Sequence, residues 1–237
     1  MNGHIYYGDS LQIMPTLPSE SIDLVLTDPP YAIHYKSNRR IVKKKFDHLI
    51  GDMPGDWIEQ FAAQTFRLLK PDRHLYCFCR HDTYPRFYHA FENAGFKMKR
   101  TLIWVKNNHG SGDLKGDYAS RDEWIIYAHK GRRLLRGKRK DNILEFPKIF
   151  SSKLLHPTQK PVDLLRLLIS KSTDRGEVVL DPYAGVLSTA VAAMMEERDF
   201  IMIDIEQKFL LDGYGRIVNN EKWDNYKVTI PSELLSK

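Results

Sequence analysis

Four consecutive residues, Asp28-Pro29-Pro30-Tyr31, stand directly after the apolar run Ile22–Thr27. A turn leaving a strand needs neither this acid nor this aromatic, whereas methylation of an exocyclic amine uses all four residues. The lone pair of such a nitrogen is delocalised into its ring, which makes it a poor nucleophile. A carboxylate and a backbone carbonyl that accept its two N–H groups draw that lone pair out of conjugation. Proline fixes φ, so the first proline carbonyl is held pointing at the amine. The tyrosine ring offers a face on which a flipped base can stack. Positioning and hydrogen bonding carry such a reaction, and no strong base is required. Asp28, Pro29, Pro30 and Tyr31 are therefore the candidate catalytic set.

Three further acids end an apolar run or follow one directly: Asp9 after Gly8, Asp181 after Leu180, and Asp204 within Phe200–Ile205. In an open parallel sheet the carboxyl ends of the strands form the ligand-binding rim, and a carboxylate there can take a ribose diol with two hydrogen bonds. Four acids on one rim predict a site. The turn from Asp181 into a helix beginning at Thr189 presents free backbone N–H groups to a ligand carboxylate. Gly185 lets the backbone come close to that ligand.

The blocks in this order resemble a known family, the amino-group DNA methyltransferases that use S-adenosylmethionine, in the arrangement called the β class. The resemblance covers most of the chain. Gly8-Asp9-Ser10-Leu11, Leu17-Pro18 and the strand into Asp28-Pro29-Pro30-Tyr31 are similar to its N-terminal block. His156-Pro157-Thr158-Gln159-Lys160-Pro161 is a close match to the block that leads into the cofactor site. Asp181-Pro182-Tyr183-Ala184-Gly185 resembles the opening of the cofactor loop, and Arg198 through Phe209 resembles the following strand and helix.

The resemblance implies a Rossmann-like methyltransferase fold with a circularly permuted motif order. It implies S-adenosyl-L-methionine as cofactor; the nine histidines show no metal-ligand spacing, and no metal is expected. Asp9 meets the cofactor's adenine and Asp204 its ribose; Asp181, Tyr183, Gly185 and Ser188 line the loop, with Thr158 and Lys160 beside it. Double-stranded DNA is the implied substrate, with the N6 amine of adenine as target, because the family's cytosine-N4 members more often begin the tetrapeptide with Ser. Transfer to cytosine N4 is one alternative. A catalytically silent DNA-binding protein is another, since Leu187 stands where the family's loop has its second glycine, and Met202 where glycine often precedes the ribose acid. A leucine on the family's backbone path is expected to crowd the cofactor's methionine end. The family often forms homodimers, and a cognate restriction nuclease is a further candidate partner.

Apolar runs and amphipathic helices alternate nearly end to end and must position these groups. Strands are predicted at His4–Tyr7, Ile22–Thr27, His74–Cys79, Arg100–Lys106, Glu123–His129, Glu177–Leu180 and Phe200–Ile205. Several are apolar throughout, as in strands covered on both faces. Helices are predicted at Asp56–Leu69, Thr83–Asn93, Val162–Lys171, Thr189–Glu196 and Gln207–Val218. The fold class that follows is α/β: a mostly parallel open sheet of about seven strands with helices on both faces. Arg100–Lys106 and Glu123–His129 have no helix between them and predict an antiparallel pair at the sheet end. One domain is expected over residues 1–237, with a small DNA-contacting insertion around 107–153, where Asn107, Asn108, Arg121 and Arg136 are candidate base readers.

Charge is distributed in a way that fits this reading. The net charge is +6, yet residues 36–45 and 130–140 hold 13 cations and no acid, leaving 23 basic against 30 acidic residues elsewhere. Two basic segments on an acidic body predict contact with a polyanion. Lys36, Arg39, Arg40, Lys43, Lys44 and Lys45 are expected to close over DNA beside the target base. Arg132, Arg133, Arg136, Lys138, Arg139 and Lys140 are expected to contact phosphates. Cys77 and Cys79 would share one strand face, badly placed to bond each other, and predict a reducing, cytoplasmic setting. No apolar stretch is long enough for a membrane-spanning helix.

Overall fold

A computed structural model describes residues 1–30, 57–109, 115–149, 159–219, 223 and 225–235. In chain order the elements are β1 (Asn2–Tyr7), α1 (Ser10–Ile13), a 3₁₀ turn at Met14–Thr16, β2 (Ile22–Thr27), α2 (Trp57–Leu68), β3 (Leu69–Cys79), α3 (Tyr84–Asn93), β4 (Lys97–Met98), β5 (Leu102–Val105), β6 (Asp122–Lys130) and β7 (Ile143–Glu145). There follow α4 (Val162–Ser172), β8 (Val178–Asp181), α5 (Ser188–Met195), β9 (Asp199–Asp204), α6 (Gln207–Val218), β10 (Lys227–Thr229) and α7 (Ser232–Leu235).

The strands lie in the order β10-β1-β9-β8-β2-β3-β6-β5-β7, with β4 pairing β6 as a tenth member. The sheet is mostly parallel, as expected, but larger than the seven strands anticipated, because β4, β7 and β10 are only two or three residues long and give no periodic signal. β6 runs against both β3 and β5. The predicted antiparallel pair therefore exists, but β7 adds beyond β5, so it is not the sheet's last pair. The described part of 107–153 includes β6 and β7.

Strand residues alternate between two cores. Leu24, Leu26, Tyr76, Phe78, Ile125 and Tyr127 pack with Leu164, Leu168, Ala190 and Leu210 of α4, α5 and α6. Val25, Leu75, Cys77, Cys79, Ile126 and Ala128 pack on the other face with Ile58, Phe61, Phe87 and Phe91 of α2 and α3. Strands covered on both sides are why their sequences are continuously apolar. Cys77 and Cys79 share a face, buried and unbonded. β3 begins five residues earlier than its apolar run. Ile22 pairs with Leu69 and Leu24 with His74, so residues 70–73 bulge out, with Pro71 lacking a donor and Asp72 at φ 57°. Among the described residues no helix is long and apolar enough to cross a membrane.

Candidate active site

The four rim acids come together because their strands are neighbours. β1, β9, β8 and β2 are consecutive in the sheet, so Asp9, Asp204, Asp181 and Asp28 line one edge spanning about 14 Å at a strand spacing of about 4.8 Å. Register fixes the row: Tyr7 pairs with Asp204, and Asp181 with Met202.

Asp28 follows the buried strand β2 and is half-buried, with Pro29 buried behind it. Its Oδ2 accepts from Lys160 Nζ at 2.5 Å. Lys160 precedes α4 and is only 7% exposed, so its ammonium is removed from water. It lies 5.0 Å from the Phe78 ring centroid, a cation–π separation. A second carboxylate, Glu123 at the start of β6, stands 3.1 Å from the same ammonium, an ion-pair distance whose angle falls short of a hydrogen bond. Lys106, at the exit of β5, holds the other Glu123 oxygen at 2.7 Å. Burial acts to strip Lys160 of its proton, but attraction to Asp28 and Glu123 outweighs it and holds Lys160 above the usual lysine range. Burial likewise works to raise Glu123, and the two lysines bring it below the usual carboxylate range. Glu123 and Lys106 were not singled out from the sequence. The reversal of β6 brings its first residues, rather than its last, to the rim where the parallel strands end.

The loop between β8 and α5 forms the other half of the site. Asp181 is buried with both oxygens occupied by the loop itself: Oδ2 accepts from Thr189 Oγ1 at 2.6 Å and Oδ1 from Tyr183 N at 3.1 Å. Burial pushes its carboxyl up to about 7, against the pull of these hydrogen bonds. It shapes the turn from inside. Tyr183 packs edge-on against Phe61 and Trp57, at 5.5 and 6.2 Å between ring centroids, so its ring belongs to the aromatic core under α2. Ser10 Oγ donates to Pro182 O and ties α1 to the same turn.

Leu187 adopts φ 59° and ψ 31°, the left-handed conformation a glycine would supply, so the backbone takes a glycine-type path. Its side chain is fully buried and does not crowd the loop's open side. The space it fills exists because α6 carries Gly213 there; a Cβ on Gly213 would stand 2.7 Å from the Val186 carbonyl and 2.8 Å from Leu187 Cγ. The side chain thus packs into the core against α6.

The remaining groups fit a ligand that joins an amino acid to a nucleoside. A Cβ at Gly185 would meet nothing within 4 Å, so that backbone faces open space. α5 starts without a side-chain cap, and Ser188 Oγ beside it is buried with no partner. Unsatisfied donors at a helix start suit a carboxylate. Asp204 accepts from Gly185 N at 2.6 Å through Oδ2 and from Glu206 N at 2.8 Å through Oδ1. Each oxygen keeps a lone pair for a ribose hydroxyl. Burial raises the Asp204 carboxyl despite those two N–H donors. Asp9 caps α1 by accepting from Leu11 N at 2.9 Å and remains exposed on the rim.

Tyr31, Thr158, Lys36, Arg39, Arg40, Lys43, Lys44 and Lys45 lie outside the described residues. Residues 130–140, expected to contact phosphates, sit at the rim opposite the four acids. Lys130 pairs with Arg73 near the start of β3, while Trp124 pairs with Cys79 at its end. Six strand steps, roughly 20 Å, separate the two ends. The segment then docks on the end of α4 through Arg136 N donating to Lys171 O. Arg133 pairs with Asp174 and Glu177, and Arg136 with Asp174. Arg132, Lys138, Arg139 and Lys140 are exposed there. Of the candidate base readers, Asn107 Oδ1 accepts from Lys148 N, tying the exit of β5 to that of β7, and Arg121 donates to Lys106 O across the β5–β6 hairpin.

Comparison with known proteins agrees with this geometry. The N6/N4 DNA methylase family pattern matches residues 22–213. The chain is 29% identical over 250 residues to the DNA adenine methyltransferase YhdJ of Escherichia coli K12, covering 90% of this chain and 82% of that one. The crystal structure of an M1.HpyAVI complex with S-adenosylmethionine superposes with a TM-score of 0.67 at 28% identity, covering 90% of this chain and 99% of the other. The cytosine-N4-specific PvuII DNA methyltransferase shares the fold at a TM-score of 0.75 and 21% identity, covering 93% and 88%. By pattern, fold and rim, the chain belongs to the N6/N4 DNA methylase family.

Proposed function

We propose that this chain methylates the exocyclic N6 amine of adenine in double-stranded DNA, with S-adenosylmethionine as methyl donor. The observation that carries the proposal is a carboxylate, Asp28, on the strand next to the cofactor loop and fixed by a buried ammonium. Asp28 Oδ and the Pro29 carbonyl accept hydrogen bonds from the two amine N–H groups, which frees the nitrogen lone pair for attack on the methyl group; one proton of the methylated nitrogen is then released to water. Asp204 holds the ribose diol, Asp9 lies toward the adenine, and the start of α5 with Ser188 receives the amino-acid carboxylate. The cofactor supplies an activated methyl group to this rim. Lys160 is a charged partner of Asp28 and no base, because Asp28 and Glu123 both favour its protonated form. Asp28, in place of the serine more frequent in cytosine-N4 members, favours adenine.

Asp28→Ala tests the assignment. Methyl transfer from labelled S-adenosylmethionine to duplex DNA is expected to vanish while cofactor binding by calorimetry stays within a few fold. Turnover within tenfold of wild type would remove Asp28 from the reaction.

A further inference from the structure

We propose that Glu123 is a positioning residue for methyl transfer: it anchors Lys160 from behind, so that Lys160 fixes the orientation of the Asp28 carboxylate. The inference rests on Asp28 as the group that holds the amine, and not on which base carries that amine. Four side chains form a line of alternating charge, Lys106, Glu123, Lys160 and Asp28, with separations of 2.7, 3.1 and 2.5 Å. They come from four places in the chain: the exit of β5, the start of β6, the approach to α4 and the exit of β2. Only the last two were singled out in the sequence motifs.

The line has a direction. Lys160 is nearly inaccessible to water, so a carboxylate has to compensate its charge, and with Asp28 alone the whole demand would fall on the reacting group. Glu123 takes part of that demand. Its own charge is met by Lys106, so the four groups sum to zero without drawing on solvent. The ammonium is then fixed by Glu123 on one side and by the Phe78 ring beneath it. An ammonium held in this way leaves Asp28 Oδ2 one position, and this sets the plane of the carboxylate. A hydrogen-bond acceptor fixed before substrate arrives costs no reorganisation during the reaction. Glu123 meets Asp28 through Lys160, so its loss should act on turnover and not on binding.

The test uses the full chain, tritium-labelled S-adenosylmethionine and plasmid DNA from a methylation-deficient host. Glu123→Gln preserves shape and removes the charge; kcat is expected to fall at least tenfold, with KM for cofactor and for DNA within twofold of wild type. Lys106→Met, which loosens Glu123 from the far side, should lower kcat severalfold in the same pattern and covers the case in which the first variant does not fold. The loss in the double variant Glu123→Gln, Lys160→Met should be no larger than in Lys160→Met alone, because Glu123 acts through Lys160. Wild-type kcat in Glu123→Gln, or in Lys106→Met should the first not fold, overturns the proposal, as does a fully additive double variant. Asp28→Ala, run alongside, separates the two readings: if it is inactive while Glu123→Gln is unimpaired, Asp28 keeps its role and Glu123 has none.

Discussion

Leu187 holds a left-handed backbone conformation that costs an ordinary residue on the order of 1–2 kcal/mol. Burial of its side chain against Gly213 offsets that cost. Leu187→Gly should therefore destabilise the protein by roughly 2–3 kcal/mol, since the cavity left by a buried leucine outweighs the relieved strain. Cofactor affinity should stay within twofold of wild type; tighter binding by calorimetry would mean that the side chain faces the ligand. Asp181 makes a second residue-level prediction. Its folded carboxyl is raised to about 7 from 3.8, so folding favours the protonated form. The resulting stabilisation is complete below about pH 3.8 and is lost as the pH rises through 7. Asp181→Asn can keep both hydrogen bonds, with the Thr189 hydroxyl accepting. Denaturant melts should show it more stable than wild type by roughly 1–3 kcal/mol at pH 8, and the gap should close toward pH 4. A constant gap across that range would show that Asp181 is not held protonated by the fold.

Between β3 and β6 lies a polar group that the apolar cores enclose. His74 is hydrogen-bonded to Ser172 Oγ at 2.8 Å, while both ring nitrogens of His129 are buried without partners. Burial lowers His74 to about 3, aided by His129, and lowers His129 to about 4, aided by Lys99 and Lys97. An unfolded chain takes up protons near 6.5 that the folded one refuses. Stability is then full above pH 6.5 and falls toward pH 4, by up to about 1.4 kcal/mol per pH unit for each histidine. His129→Leu should keep neutral-pH stability and flatten the acid decline; an unchanged slope in urea melts at pH 4.5 and 7.5 would contradict this. The elements themselves were largely legible, because strands covered on both faces must be apolar throughout and helices on the sheet must be amphipathic. The place of Asp28 and Asp204 on the rim was legible for the same reason: strand ends are visible in sequence. Glu123 was not, because its meaning depends on the direction of β6. Lys160 was read as a cofactor neighbour from its sequence block, and only the placement of α4 beside β2 brings it to Asp28.

At the scale of the whole molecule the two ends of the sheet do different work. One rim collects Asp9, Asp204, Asp181 and Asp28. The other carries the 130–140 segment, where Arg73 bridges Asp23 and Glu177 while Arg133 pairs with Asp174 and Glu177. Those pairs clamp β2, β3, β6 and the entry to β8 together. Charge reversal of Arg132, Lys138, Arg139 and Lys140 should accordingly leave the binding of a short duplex nearly unchanged. Its slope of log affinity against log salt should shift by less than about 0.9, the value of one phosphate contact. A drop worth two or more contacts would show that the far rim reaches the DNA.

The most direct measurement reads the product. Duplex DNA from a methylation-deficient host is incubated with the purified chain and S-adenosylmethionine, digested to nucleosides and analysed by mass spectrometry. N6-methyldeoxyadenosine should accumulate with wild type and be absent with Asp28→Ala. N4-methyldeoxycytidine in its place, or no methylated nucleoside from a wild-type protein that binds both cofactor and DNA, would contradict the account.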